Sequence, residues 1–123
     1  MSQHLRVLVA DDEPLIRALV ATAFEDEGYD VDTAAEGMEA LEKACQQPPQ
    51  VIVLDLMMPV LDGWGFLAAW RGQPAGRTVP IVITSAAYRQ DQLPSLDVAA
   101  FLPKPFDLDR LVATVAGLVP ARP

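Results

Sequence analysis

The sequence predicts one α/β domain built on a parallel β-sheet with helices on both faces. Short runs rich in β-branched residues alternate with longer segments in which apolar residues recur at helical spacing. Glycine and proline separate these segments, and the continuous apolar run 51–54 is typical of a central strand buried on both faces. Strands that alternate with helices imply right-handed crossovers, which produce a parallel sheet.

Five short strands are expected. They lie at 5–10, 29–33, 51–54, 81–84 and 99–102. The second, at 29–33, has the weakest pattern. The third delivers Asp55 at its carboxyl end, where the chain turns.

Helices are expected between the strands and after the last one. The first begins at Asp12-Glu13-Pro14, where an acid is able to cap the helix and proline fits the first turn, and it ends at Gly28. Its predicted inward face consists of Leu15, Ile16, Leu19, Val20, Ala23 and Phe24. The second ends near 46–49, the third covers 64–70, and the last begins after Phe106. Between strands four and five, segment 86–98 is short and contains Pro94, so we expect only a short or irregular fourth helix there.

Composition excludes several classes of protein. With 123 residues, 51% of them hydrophobic, the chain suits one domain that folds without disulfides, and Cys45 has no second cysteine to pair with. Nine basic against 17 acidic residues give a net charge of -8, which argues against direct nucleic-acid binding. No signal peptide and no apolar stretch near the roughly 20 residues of a membrane span are present, so we expect a cytoplasmic protein.

Three carboxylates are expected to meet at one edge of the sheet. Asp11 and Asp12 follow the first strand and Asp55 follows the third, and ligands of open parallel sheets bind beyond the carboxyl ends of the strands. Like charges this close raise one another's pKa unless a cation is present, and Mg2+ favours oxygen ligands. The alternative is that these acids only cap helices.

Lys104 and two hydroxyls follow the later strands. Lys104 lies between Pro103 and Pro105, a stiff loop that would direct it toward the same edge, and a cis Pro105 would turn it inward. The alternative is an ordinary surface lysine. Thr84 and Ser85 close the fourth strand, and alternation along the strand directs one of them to the crevice and the other to the core or solvent.

This ordered set resembles the receiver domain of two-component response regulators over essentially the full chain. The motifs that carry the resemblance, in chain order, are Asp11-Asp12-Glu13, Asp55-Leu56-Met57-Met58-Pro59 with Gly63, Ile83-Thr84-Ser85-Ala86 and Lys104-Pro105-Phe106. The resemblance implies a flavodoxin-like, doubly wound sheet of order 2-1-3-4-5.

The resemblance also implies roles for individual residues. Asp55 would be the phosphoacceptor, and Lys104 would offset charge on the transferring phosphoryl group. Asp12 would bind Mg2+ directly and Asp11 through water, with Asp55 and the backbone carbonyl of Met57 as further ligands.

The family's switch residues fall on the fourth and fifth strands. Ser85 best matches the switch hydroxyl and Thr84 would then point away, while Phe101 stands where the family has its switch aromatic. The phosphoryl group would pull Ser85 toward itself and Phe101 would fill the space that it leaves.

We therefore expect a phosphoacceptor, not an enzyme with turnover, which receives its phosphoryl group from a sensor histidine kinase or histidine phosphotransfer protein. Its output would be contact with a downstream protein, as a monomer or weak dimer. Residues 1–123 are read as a single receiver without an output domain.

The alternatives are a receiver excised from a hybrid kinase or longer regulator, a pseudo-receiver, and a Mg2+-dependent aspartyl phosphohydrolase. The phosphohydrolase would need an aspartate at Met57, and a flavin-binding domain would need a phosphate loop where the three acids stand.

Overall fold

A five-stranded parallel sheet runs through the computed structural model, which describes residues 5–86 and 98–119. The strands are β1 (Arg6–Ala10), β2 (Asp30–Ala34), β3 (Val51–Asp55), β4 (Ile81–Ser85) and β5 (Ala100–Pro103). Their order is β2-β1-β3-β4-β5, which confirms the order implied by the resemblance. All five predicted strands are present, with bounds that agree within one residue.

Within residues 5–86 and 98–119, four α-helices and one 3-10 helix connect or follow these strands. They are α1 (Pro14–Asp26), α2 (Gly37–Gln46), α3 (Gly63–Arg71), the 3-10 helix (Ala75–Arg77) and α4 (Leu108–Ala116). The short helix predicted between β4 and β5 falls on residues 87–97, which lie outside the described residues. Among the helices described, none is long and apolar enough to cross a membrane.

The core has two layers, one on each face of the sheet. Successive strand side chains point to opposite faces, so β3 supplies both layers and is buried along its whole length. Ile52 and Leu54 pack with the side chains of α2 and α3, including the fully buried Trp70. Val51 and Val53 pack with the side chains of α1 and α4. The sheet is therefore covered on both faces, as parallel sheets require.

The start of α1 is where predicted, but its cap and its inward face differ from the prediction. Pro14 opens the helix, and neither acid caps it through a side chain: Glu13 stands at the N-cap position and makes no such bond. Of the predicted inward face, Leu15 and Leu19 are exposed, whereas Val20 and Phe24 are buried. The apolar stripe of α1 is broader than the strip that the sheet covers, so its outer edge remains on the surface.

The first turn of α2 touches the loop that follows β3. A Cβ atom added to Gly37 would lie 1.6 Å from the carbonyl oxygen of Leu61, so only glycine fits between the two backbones. The helix start is further fixed by a reciprocal cap. The Glu36 carboxylate accepts a hydrogen bond from the Glu39 N–H, and the Glu39 carboxylate accepts one from the Ala35 N–H.

Gly37→Ala is expected to destabilise the fold by roughly 1–3 kcal/mol, because the methyl group must displace backbone and not a flexible side chain. Gly72→Ala is the matched control, since its added Cβ would meet its nearest atom at 3.4 Å and its φ is -77°. Denaturant unfolding measures both variants. Equal stability of the two would contradict the backbone contact at Gly37.

Candidate functional site

An acidic crevice lies at the carboxyl edge of the sheet, between β1 and β3. The chain passes from β1 to β2 on one side and to β3 on the other, so the strand order reverses at this point. Ala10 of β1 is in register with Leu54 of β3, and each is followed directly by an aspartate. The register therefore brings Asp11 and Asp55 to the same level, and both are buried.

Lys104 reaches into this crevice from the end of β5. Its Nζ atom lies 2.9 Å from Asp11 Oδ2, 2.9 Å from Asp55 Oδ2 and 3.1 Å from Glu13 Oε1. Its own N–H donates to the Ser85 carbonyl at 3.0 Å, which fixes the loop to the end of β4. The Lys104–Pro105 peptide bond is cis. The surface-lysine alternative is thus wrong, because this ammonium group is buried among carboxylates.

Four acids at this edge form an oxygen-rich set that fits a hard divalent cation. Asp11, Asp12, Glu13 and Asp55 each offer a carboxylate oxygen, and these atoms all lie within 4.8 Å of one another. Carboxylate oxygens are the ligands that Mg2+ prefers. Among the residues that the structure describes, four carboxylates surround the ammonium group of Lys104 and leave an excess of negative charge, which a divalent cation would offset.

Burial and ion pairing shift the pKa values of the two central groups. Burial raises the pKa of Asp55, and the Met57 N–H and Lys104 oppose that rise without cancelling it. Burial alone would lower the pKa of Lys104, but its hydrogen bonds to Asp11, Asp55 and Glu13 reverse the direction and raise it. Lys104 therefore stays protonated at neutral pH, whereas ionisation of Asp55 is disfavoured.

The loop after β3 holds the second oxygen of Asp55. The Met57 N–H donates to Asp55 Oδ1 at 3.0 Å, while Lys104 holds Oδ2, so the two carboxylate oxygens have different partners. Further along, the Leu61 N–H donates to the Pro59 carbonyl at 2.8 Å across Val60, whose φ is 68°. Such a turn is strained for a β-branched residue.

Two residues of the site were missed by sequence reasoning. Glu13 contacts Lys104 directly, and the Arg17 Nη1 atom donates to the Asp11 carbonyl at 2.8 Å. The Glu13 N–H also donates to Asp11 Oδ1 at 2.9 Å, so both residues help to fix Asp11. Glu13 stood in the acidic run of the sequence, whereas no sequence pattern indicated the contact of Arg17 with the Asp11 carbonyl six residues earlier.

The two hydroxyls at the end of β4 are both buried, and they lie on opposite faces of the sheet. Ser85 follows Ile83 by two residues and so lies on the face covered by α2 and α3, whereas Thr84 lies on the face covered by α1 and α4. Thr84 is the register partner of Asp55. Phe101 is half-buried against the same core layer as Ile83, its register partner. Ser85 and Phe101 thus share one face.

An apolar groove adjoins the crevice on its α1 side. It has a volume of about 430 Å³, and Glu13 and Lys104 line both this groove and the acidic crevice. Ile16, Leu19 and Leu108 supply part of its apolar lining. The exposed edge of α1 is therefore continuous with the site.

The chain belongs to the response regulator receiver domain family, whose family model matches residues 7–116. It is 35% identical over 117 residues to the DNA-binding dual master transcriptional regulator RpaA of Synechocystis, covering 93% of this chain and 48% of RpaA. It is 38% identical over 117 residues to the transcriptional regulatory protein TrcR of Mycobacterium tuberculosis, covering 94% of this chain and 45% of TrcR. The chain thus spans about half the length of the curated relatives it matches.

Solved structures give the same family and fold. The chemotaxis response regulator CheY4 of Vibrio cholerae, crystallised at low pH, superposes with a TM-score of 0.88 at 32% identity, covering 95% of this chain and all of that one. The receiver domain of the sensor histidine kinase PA1611 from Pseudomonas aeruginosa superposes with a TM-score of 0.86 at 27% identity, covering 94% of this chain and 98% of that one. The PA1611 structure has a magnesium ion coordinated in its active site cleft.

Replacing Asp55 with asparagine is expected to stabilise the Mg2+-free protein at neutral pH. The folded pKa of Asp55 lies above its ordinary value of 3.8. In the pH range between these two values, the folded state therefore binds a proton more readily than the unfolded chain does. The contribution of Asp55 to folding stability therefore falls as pH rises from 3.8 through its folded pKa, and the deficit remains at pH 7.

Denaturant midpoints measured with a chelator from about pH 3 to pH 8 check this expectation. The advantage of Asp55→Asn should be largest at neutral pH and should shrink as pH falls toward 3.8. Asp30→Asn, at an exposed aspartate on β2, is the matched control and should show no comparable gain. A wild-type protein more stable than Asp55→Asn at pH 7 would contradict the unfavourable burial of this charge.

Proposed function

We propose that this chain is a phosphoacceptor whose Asp55 receives a phosphoryl group in a Mg2+-dependent reaction. The donor is a sensor histidine kinase or a histidine phosphotransfer protein, and the phosphorylated form signals through altered contacts with a downstream protein. As an acceptor, the chain assists its own phosphorylation and dephosphorylation and turns over no other substrate.

The observation that carries this proposal is the setting of Asp55. Its carboxylate is buried at the strand edge, with one oxygen on the Met57 N–H and the other on the Lys104 ammonium group. Phosphoryl transfer requires little covalent chemistry from a protein beyond a positioned nucleophile and positive charge at the transferring group. These two contacts orient the nucleophile, and Lys104 supplies a positive charge beside it.

In the transfer step, an oxygen of Asp55 forms a bond to phosphorus. The bond from phosphorus to the donor nitrogen breaks, and the imidazole leaves with the electron pair and takes up a proton. Asp55 becomes an acyl phosphate, and Lys104 donates a hydrogen bond to a phosphoryl oxygen. A phosphoryl group carries more negative charge than a carboxylate, so it is a stronger acceptor for a Lys104 N–H than any of the acids.

The acids of the crevice would hold the magnesium ion. Asp12 would bind it directly, Asp11 through water, and Asp55 and the Met57 carbonyl would complete the protein ligands. Mg2+ would supply positive charge that offsets the charge on the transferring phosphoryl group. The oxygen donors of the four clustered acids and the excess of negative charge around them support this assignment.

The switch would involve Ser85 and Phe101. Both lie on the face of the sheet covered by α2 and α3, and Ser85 stands one residue beyond Thr84, the register partner of Asp55. A hydroxyl drawn toward the phosphoryl group would leave space on this face, and the half-buried Phe101 would fill it. Thr84, on the opposite face, would take no part in this movement.

Incubation with Mg2+ and a small phosphodonor is expected to add one phosphoryl group to the protein. Acetyl phosphate tests the acceptor, and phosphoramidate tests transfer from a P–N bond like that of phosphohistidine. Intact mass spectrometry measures the gain, and a chelator is expected to abolish it.

Asp55→Asn is the control variant and should take up nothing. Absence of labelling in the wild-type protein would refute the proposal and favour a pseudo-receiver that acts without phosphorylation. Labelling that persists in Asp55→Asn would refute Asp55 as the acceptor. Continuous consumption of acetyl phosphate with no labelled protein would favour a phosphohydrolase.

Ser85→Ala is expected to accept the phosphoryl group while losing the response at β5. In 1H–15N spectra of the wild-type protein, phosphorylation should shift the amide signals of Phe101 and its neighbours in β5. In Ser85→Ala these shifts should fall by about half or more, because the hydroxyl that moves is missing. Thr84→Val is the matched control, and it should retain them. Unchanged shifts in Ser85→Ala would remove this residue from the switch.

A further inference from the structure

We infer that Glu13 is a positioning residue that restrains phosphorylation by holding the Lys104 N–H that a phosphoryl oxygen must take. The inference rests on the proposed function, because it concerns the rate at which Asp55 is phosphorylated. Glu13 is one of the four clustered acids, but the proposed function assigns it no role.

Each of the three N–H donors of the Lys104 ammonium group has a carboxylate within reach. It carries three N–H groups, and three carboxylates lie within hydrogen-bond distance of Nζ. Asp11 and Asp55 are at 2.9 Å and Glu13 is at 3.1 Å. A phosphoryl oxygen can be bound by Lys104 only when one of these three contacts is given up.

Exposure distinguishes the three contacts. The side chains of Lys104, Asp11 and Asp55 are 7%, 4% and 4% exposed, whereas that of Glu13 is 53% exposed. Glu13 therefore binds the ammonium group from the solvent side. A phosphodonor also approaches from solvent, so the incoming phosphoryl oxygens meet Lys104 where the Glu13 carboxylate already stands.

Glu13 can leave Lys104 without disturbing the helix that it begins. Its side chain makes no cap bond, although it occupies the N-cap position of α1. Its backbone is held independently, since its N–H donates to Asp11 Oδ1 and its carbonyl accepts from the Arg17 N–H. Departure of the carboxylate therefore breaks one partly exposed ion pair and leaves the start of α1 in place.

The bonds that form and break in the transfer do not include Glu13. With acetyl phosphate, an Asp55 oxygen bonds to phosphorus, the bond from phosphorus to the acetyl oxygen breaks, and acetate leaves with the electron pair. Glu13 gives up its hydrogen bond, and Lys104 donates that N–H to a phosphoryl oxygen. The cost of this exchange adds to the barrier of the wild-type protein.

The test compares first-order labelling rates with acetyl phosphate at saturating Mg2+ for the wild type, Glu13→Gln and Glu13→Asp. Aspartate keeps the negative charge and caps a helix well, but it is one methylene too short to hold Lys104. Both variants are expected to label about two- to fivefold faster, the factor that corresponds to one partly exposed ion pair. Glu25→Gln, which removes an exposed charge nearer the far end of α1, is the control and should keep the wild-type rate.

Each other outcome overturns the inference. A Glu13→Asp rate equal to that of the wild type, beside a faster Glu13→Gln, would mean that charge near the site acts on the donor without the contact to Lys104. Labelling of the wild type with no acceleration in either variant would overturn the inference alone. A wild-type protein that takes up no phosphoryl group would overturn the proposed function, and the inference with it.

Discussion

The charge balance around the Lys104 ammonium group is the interaction on which the rest of the site depends. Asp11 and Asp55 are buried, and each would carry a charge that the interior disfavours. Lys104 contacts both from the end of β5, two strands away from β3. It therefore links the aspartates that follow β1 and β3. The fold supplies this arrangement through the parallel register, which brings strand ends to a common edge.

Sequence reasoning recovered the strands because each depends on a local signal. The buried run of β3 and the turn residues around it determine where Asp55 emerges, and the same holds for Asp11 after β1. Helix surfaces were harder to predict, because apolar spacing does not say how wide a strip the sheet covers. Leu15 and Leu19 follow the helical pattern of Val20 and Phe24, and yet they remain exposed.

The site shows the same division between local and long-range information. Acids at the ends of separate strands are visible in the sequence, but the contact between Glu13 and Lys104 spans 91 positions and depends on side-chain reach. The Arg17 side chain donates to the Asp11 carbonyl six residues before it, and a backbone acceptor at that spacing leaves no residue-type signal in the sequence. The strained turn at Val60 gave no signal, since valine is not a residue that favours positive φ.

The close approach of Gly37 to Leu61 has a mechanical consequence for the acceptor loop. Where side chains separate two segments, their rotamers can absorb a small displacement. Between Gly37 and Leu61 the two backbones are in direct contact, so no side chain can absorb it. A shift of the loop at Leu61 must therefore carry the first turn of α2 with it. Lys43 of α2 also donates to the Thr33 carbonyl of β2, but this link runs through a flexible side chain that can absorb small displacements.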